Sequence, residues 1–154
     1  AGDPSRDPRR VATGGGVNRW LIAAGVLDGV AALLHLGCIL GGPAWYRFFG
    51  AGDAMVTMAE RGMARPTLIT LAIAAILAIW AVFAFSGAGL LPRLPLLRPA
   101  LIAIAAILLA RAAALPFLFR VMPDRSPNFL WTSSAIVLAI GIVHAIGVVT
   151  LTAD

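Results

Sequence analysis

The chain has 154 residues, of which 60% are hydrophobic and only 12% charged, and its mean hydropathy is +0.93. Soluble globular domains carry about 25% charged residues, so this composition excludes a soluble domain and leaves room for one compact helical bundle in a membrane. The 12 basic residues are all arginine and give a net charge of +5, which suits the flanks of membrane spans; no interleaving of basic and aromatic residues suggests a nucleic-acid partner.

Arginine-only usage, with abundant Ala, Gly and Pro, points to a GC-rich bacterial genome and hence to a multi-pass protein of the bacterial inner (cytoplasmic) membrane. The single cysteine, Cys38, excludes an intramolecular disulfide and a CxxC metal site.

Residues 1–16, AGDPSRDPRRVATGGG, mix Pro, Gly, Asp and Arg with little apolar content and are predicted to form a flexible N-terminal tail. The four-helix transmembrane domain then occupies 17–154. Its first span is predicted at about 19–40, entered at Arg19 and Trp20 and ended by Gly41-Gly42-Pro43. Leu21, Gly25, Asp28, Ala32 and His35 recur at steps of four and three, which puts small residues and both ionisable ones on one stripe. Gly25 and Gly29 form a GxxxG pair suited to close helix approach, so a packing seam is the plain reading of this stripe.

Residues 43–65 are too polar to span. Trp45, Tyr46, Phe48 and Phe49 around Arg47 are what a segment at headgroup level carries, so an interfacial elbow is predicted between helices 1 and 2, with a lid or docking surface as the sharper alternative. Asp53 is placed to cap a short helix ending near Gly62, with Met55 and Met58 on its apolar side.

The second span, about 66–86, contains no ionisable residue and is the plain structural helix of the set. A Gly- and Pro-rich connection with Arg93 and Arg98 leads to the third span, about 99–120. Arg111 lies near the middle of that span, where a guanidinium costs at least about 2.5–3.5 kcal/mol and so should face protein. Pro116 frees the carbonyl of Ala112 and is expected to kink the helix one turn beyond the arginine. After the polar turn 122–128, the fourth span, about 129–151, carries Ser134, Val137, Gly141, His144 and Val148 along one stripe.

Alternating spans fix relative depth. With midpoints near residues 29, 110 and 140, Asp28 and Arg111 both fall within about two residues of the midplane at 1.5 Å per residue, and are predicted to pair through a bidentate fork. His144 comes to the depth of Gly25, within reach of Asp28, so Asp28, Arg111 and His144 form the predicted buried polar network. His35 lies roughly 15 Å from His144 in depth, which argues against a shared haem or metal ion; a packing role, or a ligand or cofactor contact of its own, is left to it. No catalytic triad or metal constellation is apparent, and an enzyme acting on a lipid or quinone would have only His35, His144 and Glu60 to work with.

The segments PAWYRFFGAGD (43–53), RPTLITLAIAAILAIWAVFAFSGAGLLPRLPLLRPAL (65–101) and IVHAIG (142–147) resemble a family of small four-span inner-membrane proteins of alphaproteobacterial type. In span number and length the chain is also similar to the DoxX-like membrane proteins. Both likenesses imply a four-helix membrane bundle, and neither brings an assigned chemistry.

The expectation is therefore an all-α membrane protein: a four-transmembrane-helix bundle with an interfacial elbow. It would serve as a non-catalytic accessory or scaffold subunit of a larger inner-membrane assembly, respiratory or photosynthetic in kind, with the bilayer and other membrane subunits as partners. No cofactor is predicted, although the apolar walls leave room for a bound lipid or hydrophobic pigment. The alternative is a small transporter, channel or lipid-binding protein that uses Asp28, Arg111 and His144. Six arginines on the tail and second connection against five on the other side place both termini in the cytoplasm.

Overall fold

In the computed structural model, which describes residues 16–151, the chain is all-helical among the described residues. The elements are α1 (Arg19–Phe48), α2 (Asp53–Glu60), α3 (Ala64–Gly87), α4 (Leu97–Ala113), α5 (Leu115–Val121) and α6 (Pro127–Val149). The predicted N-terminal tail lies, apart from Gly16, outside the described residues.

Three helices, α1, α3 and α6, are long and apolar enough to cross a membrane, and there are four such spans if α4 and α5 together count as one. The chain is thus a multi-pass membrane protein. Its packing has the polarity that lipid imposes: outward positions carry large aliphatics such as Leu33, Leu68, Ile79, Ile107 and Ile136, while much of the interior is small, with Ala24, Ala32, Ala74, Ala81, Ala84 and Ala105 buried. Lipid tails are as apolar as leucine, so helices associate by close backbone approach rather than by hiding bulk.

Leu21 shows how close that approach is. A Cβ added to Gly87 of α3 would come within 2.7 Å of one Leu21 methyl, and one added to Gly147 of α6 within 2.5 Å of the other. The fully buried leucine is held between two glycines from different helices. With Ala88, Leu97, Leu101, Ile104, Leu108 and Ile140 it forms the main core.

α1 packs on α3 and α6, and α4 packs on α6 and α3, so α1 and α4 stand at opposite corners of the bundle. Asn18 locks the start of α1: its Oδ1 accepts from the Trp20 and Leu21 amides at 3.1 and 3.2 Å, and its Nδ2 donates to the Gly147 carbonyl at 2.9 Å. One side chain therefore caps α1 and ties it to the last turn of α6.

The expected stop at Gly41-Gly42-Pro43 proves to be an interruption. Gly42 takes φ 60 and ψ −148, which breaks the helix, and helical turns resume from Pro43 to Phe48. Proline has no amide to donate and is accommodated at the first turn of the new segment. Asp53 does not cap α2: Gly52 is the capping position, with φ 85, and Asp53 sits in the first turn, where its charge suits the helix dipole.

The kink expected at Pro116 in the third predicted span is a full break in the helix. The span is not one continuous helix over 99–120; α4 ends at Ala113, and α5 leaves at 62° across Ala114. Pro116, in the first turn of α5, removes the amide that would have continued the ladder. Arg111 consequently lies in the last turn of α4, away from any helix midpoint.

Candidate functional site: the buried pair between α1 and α6

Asp28 and His144 meet on the seam between α1 and α6. His144 Nε2 stands 2.8 Å from Asp28 Oδ2, and both side chains are 0% exposed. The stripes that place them overlap those of the sequence: Leu21, Ala24, Gly25, Asp28 and Ala32 are buried on α1 with His35 half-buried, and Ser134, Ile140, Gly141, His144 and Gly147 are buried on α6 with Val137 and Val148 half-buried. Depth brings them together as well. Gly147 is level with Leu21, so the α carbons of His144 and Asp28 differ by a few residues in height. Side chains tilt toward the N-terminus of their own helix, and because α1 and α6 run in opposite directions the two groups lean toward each other.

The pair is incompletely satisfied. Asp28 Oδ1 and His144 Nδ1 are buried with no hydrogen-bond partner. A carboxylate and an imidazole joined by one short bond can share a proton, and the two remaining atoms are an acceptor and a ring nitrogen whose role depends on the tautomer. Buried polar groups are normally satisfied, so these two atoms stand out within the bundle.

Arg111 does not join this pair, contrary to expectation. Its Nη1 donates to Ser134 Oγ at 3.1 Å and its Nη2 makes a long contact with Ser133 Oγ at 3.5 Å. The reason is lateral as well as vertical: α4 stands diagonally across from α1 and packs on α6, and the bend at Ala114 places Arg111 close to the end of α4. The predicted network is thus two separate contacts on one helix, Asp28–His144 and Arg111–Ser134, with Ser134 and His144 ten residues apart on α6. Depth along a straight helix does not distinguish an adjacent helix from a diagonal one, and so does not separate the two contacts.

His35 is half-buried, and its Nδ1 donates to the Ala31 carbonyl at 2.7 Å, one turn back on its own helix. Its partner is thus on its own helix, whereas that of His144 is Asp28. Among the described residues no group of three or more His, Cys, Asp or Glu side chains is gathered closely enough to hold a metal ion.

The aromatic elbow is divided in its roles. Phe48 is 83% exposed and Trp45 43%, whereas Tyr46 is buried and its hydroxyl donates to Thr70 Oγ1 of α3 at 3.1 Å. Phe49 packs between its neighbours, tilted at 47° to Trp45 with ring centroids 5.8 Å apart and edge-to-face with Phe48 at 5.0 Å. Arg47 reaches Glu60 of α2 at 2.6 Å on the surface. Thr70 carries no charge to draw notice in the sequence; its signal is its place in the stripe Pro66, Thr70 and Ala74, all buried on α3.

Two cavities lie against these helices among the described residues. One of about 470 Å³ runs along α1 and α3 between Gly29, Ala32, Leu36, Leu71, Ala75 and Ala78 and is almost wholly apolar. The other, about 260 Å³, lies where α1 begins and is lined by Asn18, Ser86, Arg93 and Thr150 among others. No family model, curated protein or solved structure matches this chain.

Proposed function

We propose that this protein is a four-span, non-catalytic accessory or scaffold subunit of a larger bacterial inner-membrane assembly, respiratory or photosynthetic in kind. In this reading α4 and α5 make up one bent span, both termini face the cytoplasm, and the α1–α3 face meets a neighbouring membrane subunit. The observation that carries it is the groove between those helices. Gly29, Ala32, Ala75 and Ala78 leave its floor shallow, and exposed Leu33, Leu36 and Leu71 stand at its sides. Small residues on a lipid-facing surface let another helix approach closely, and α3 carries no ionisable side chain from Pro66 to Ser86 that would oppose burial. The resemblance of 43–53, 65–101 and 142–147 to small four-span inner-membrane proteins belongs with the same reading.

Purification from native membranes in mild detergent tests it. The expected result is co-purification of at least one further membrane chain, lost when Ala75→Leu and Ala78→Leu fill the groove while the bundle stays folded. A lone, monodisperse 16 kDa species would count against the proposal.

A second reading, a small transporter or binding protein for a proton or small polar solute, is favoured by one observation, the partnerless Asp28 Oδ1 and His144 Nδ1. It now rests on Asp28 and His144 without Arg111. Reconstitution in liposomes decides it: Asp28→Asn should abolish flux or binding, and unchanged behaviour in a folded variant removes this reading.

A further inference from the structure

Among the described residues, the two ends of the bundle differ in charge. At the end where α1 starts and α3 and α6 finish, the cavity of about 260 Å³ opens between Asn18, Ser86, Arg93 and Thr150, with Leu91 and Leu97 in its wall. Arg19 follows Asn18 in sequence and Arg98 follows Leu97, and all three arginines are exposed. The described segments that build this end, 16–27, 84–104 and 144–151, contain no Asp or Glu. At the opposite end basic groups sit among acidic ones: Arg47 meets Glu60 at 2.6 Å, and Arg125 lies 3.6 Å from Asp124.

We infer that this cavity is a headgroup site for an anionic phospholipid, with Arg93 engaging the phosphodiester. Spans leave the hydrocarbon where α1 begins, so the cavity lies at the level of lipid phosphates. A guanidinium matches a phosphate in charge and fork geometry, and basic pockets between helices at a membrane face are suited to anionic headgroups. The walls are preset: Ser86 Oγ donates to the Pro92 carbonyl at 2.8 Å and accepts from the Leu94 amide at 3.1 Å, which holds the loop bearing Arg93. Asn18 Nδ2 donates to Gly147 and Thr150 and closes the far side. Arg93 is also engaged within the protein, and the five donors of its guanidinium allow a phosphate contact besides. Leu91 and Leu97 provide an apolar wall for the glycerol end of the lipid. Arg19 and Arg98 add attractive field at the rim.

Native mass spectrometry of the full chain from mixed micelles, with dioleoyl phosphatidylglycerol competing against dioleoyl phosphatidylcholine, tests the assignment. The native protein should retain the anionic lipid in preference. Arg93→Gln should lower that preference about fivefold, the factor equivalent to about 1 kcal/mol per basic side chain at an anionic surface. Arg61→Gln, at the opposite end, should leave it unchanged. Because preference is a ratio measured within each variant, a general loss of stability does not mimic the effect. Equal retention of the two lipids by the native chain, or full preference in Arg93→Gln, overturns the site. Displacement of the lipid by an equal concentration of inorganic phosphate overturns the assignment to lipid and makes this a site for free anions.

Discussion

His144 reaches Asp28 across 116 residues of chain to make a 2.8 Å contact that is wholly shielded from the surface. It is the one described contact between two buried ionisable side chains, and it joins α1 to α6 in the apolar part of the bundle.

Removing either partner alone leaves the other buried and uncompensated, which costs about 3–5 kcal/mol. Asp28→Leu and His144→Leu should each destabilise the protein by about that amount, whereas the double variant should lose clearly less than the sum. Equilibrium unfolding in detergent, followed by tryptophan fluorescence, measures all three. Strict additivity would show that the two side chains do not act as a pair.

Arg111 should behave differently because its described partners are serine hydroxyls. Interhelical hydrogen bonds of that kind contribute about 0.6–1.7 kcal/mol in membranes. Arg111→Leu should therefore cost no more than this, and Ser134→Ala less again. A loss in the range of about 3–5 kcal/mol on Arg111→Leu would mean that the guanidinium compensates a carboxylate.

Two glycines give opposite predictions for the same substitution. In Gly147→Ala the new methyl would lie 2.5 Å from the Leu21 Cδ2 and 3.4 Å from its amide nitrogen. Leu21 is fully buried and pressed from the other side by Gly87, so it cannot turn aside, and overpacking of about 1–3 kcal/mol is expected. Gly29→Ala meets nothing within 4 Å and should be neutral or stabilising by up to about 1 kcal/mol through helix propensity. Thermal unfolding midpoints in one detergent rank the pair, and a destabilised Gly29→Ala would contradict the packing.

At the polar end, Arg125 joins two loops: its Nη1 donates to the Gly50 carbonyl at 2.8 Å, and its guanidinium lies 5.6 Å from the Phe129 ring centroid. Arg125→Ala should cost about 1.5–3 kcal/mol, as for a hydrogen bond from a charged donor. It should also speed proteolysis between α1 and α2. Arg47→Ala removes an exposed ion pair and should cost under about 1 kcal/mol. Equal effects of the two would refute the distinction.

Much of this was legible in the sequence because a bilayer makes strong local demands. About 20 apolar residues are needed to span, so helices near 19–40, 66–86 and 129–151 follow from composition alone. A disturbance at Gly41-Gly42-Pro43 and a kink after Arg111 are legible too, since proline lacks the amide a helical ladder needs, but that the first is an interruption set by the positive φ of Gly42 and the second a 62° bend is not. The stripe carrying Asp28 and the stripe carrying His144 also follow, since a 3.6-residue period admits few ways to hide polar side chains.

The choice of partner for each polar group was decided only by the tertiary structure. Depth along a straight helix is a one-dimensional quantity and ranks Asp28, Arg111 and His144 as near neighbours. It carries no information on which helices are adjacent. The arrangement of α1 beside α3 and α6, with α4 diagonally opposite, comes from how small residues such as Gly87 and Gly147 admit Leu21, and that interlocking cannot be read from any one segment. Lipid imposed the helices residue by residue, whereas adjacency arose from packing between segments far apart in the chain, which gave Asp28 to His144 and left Arg111 to Ser134.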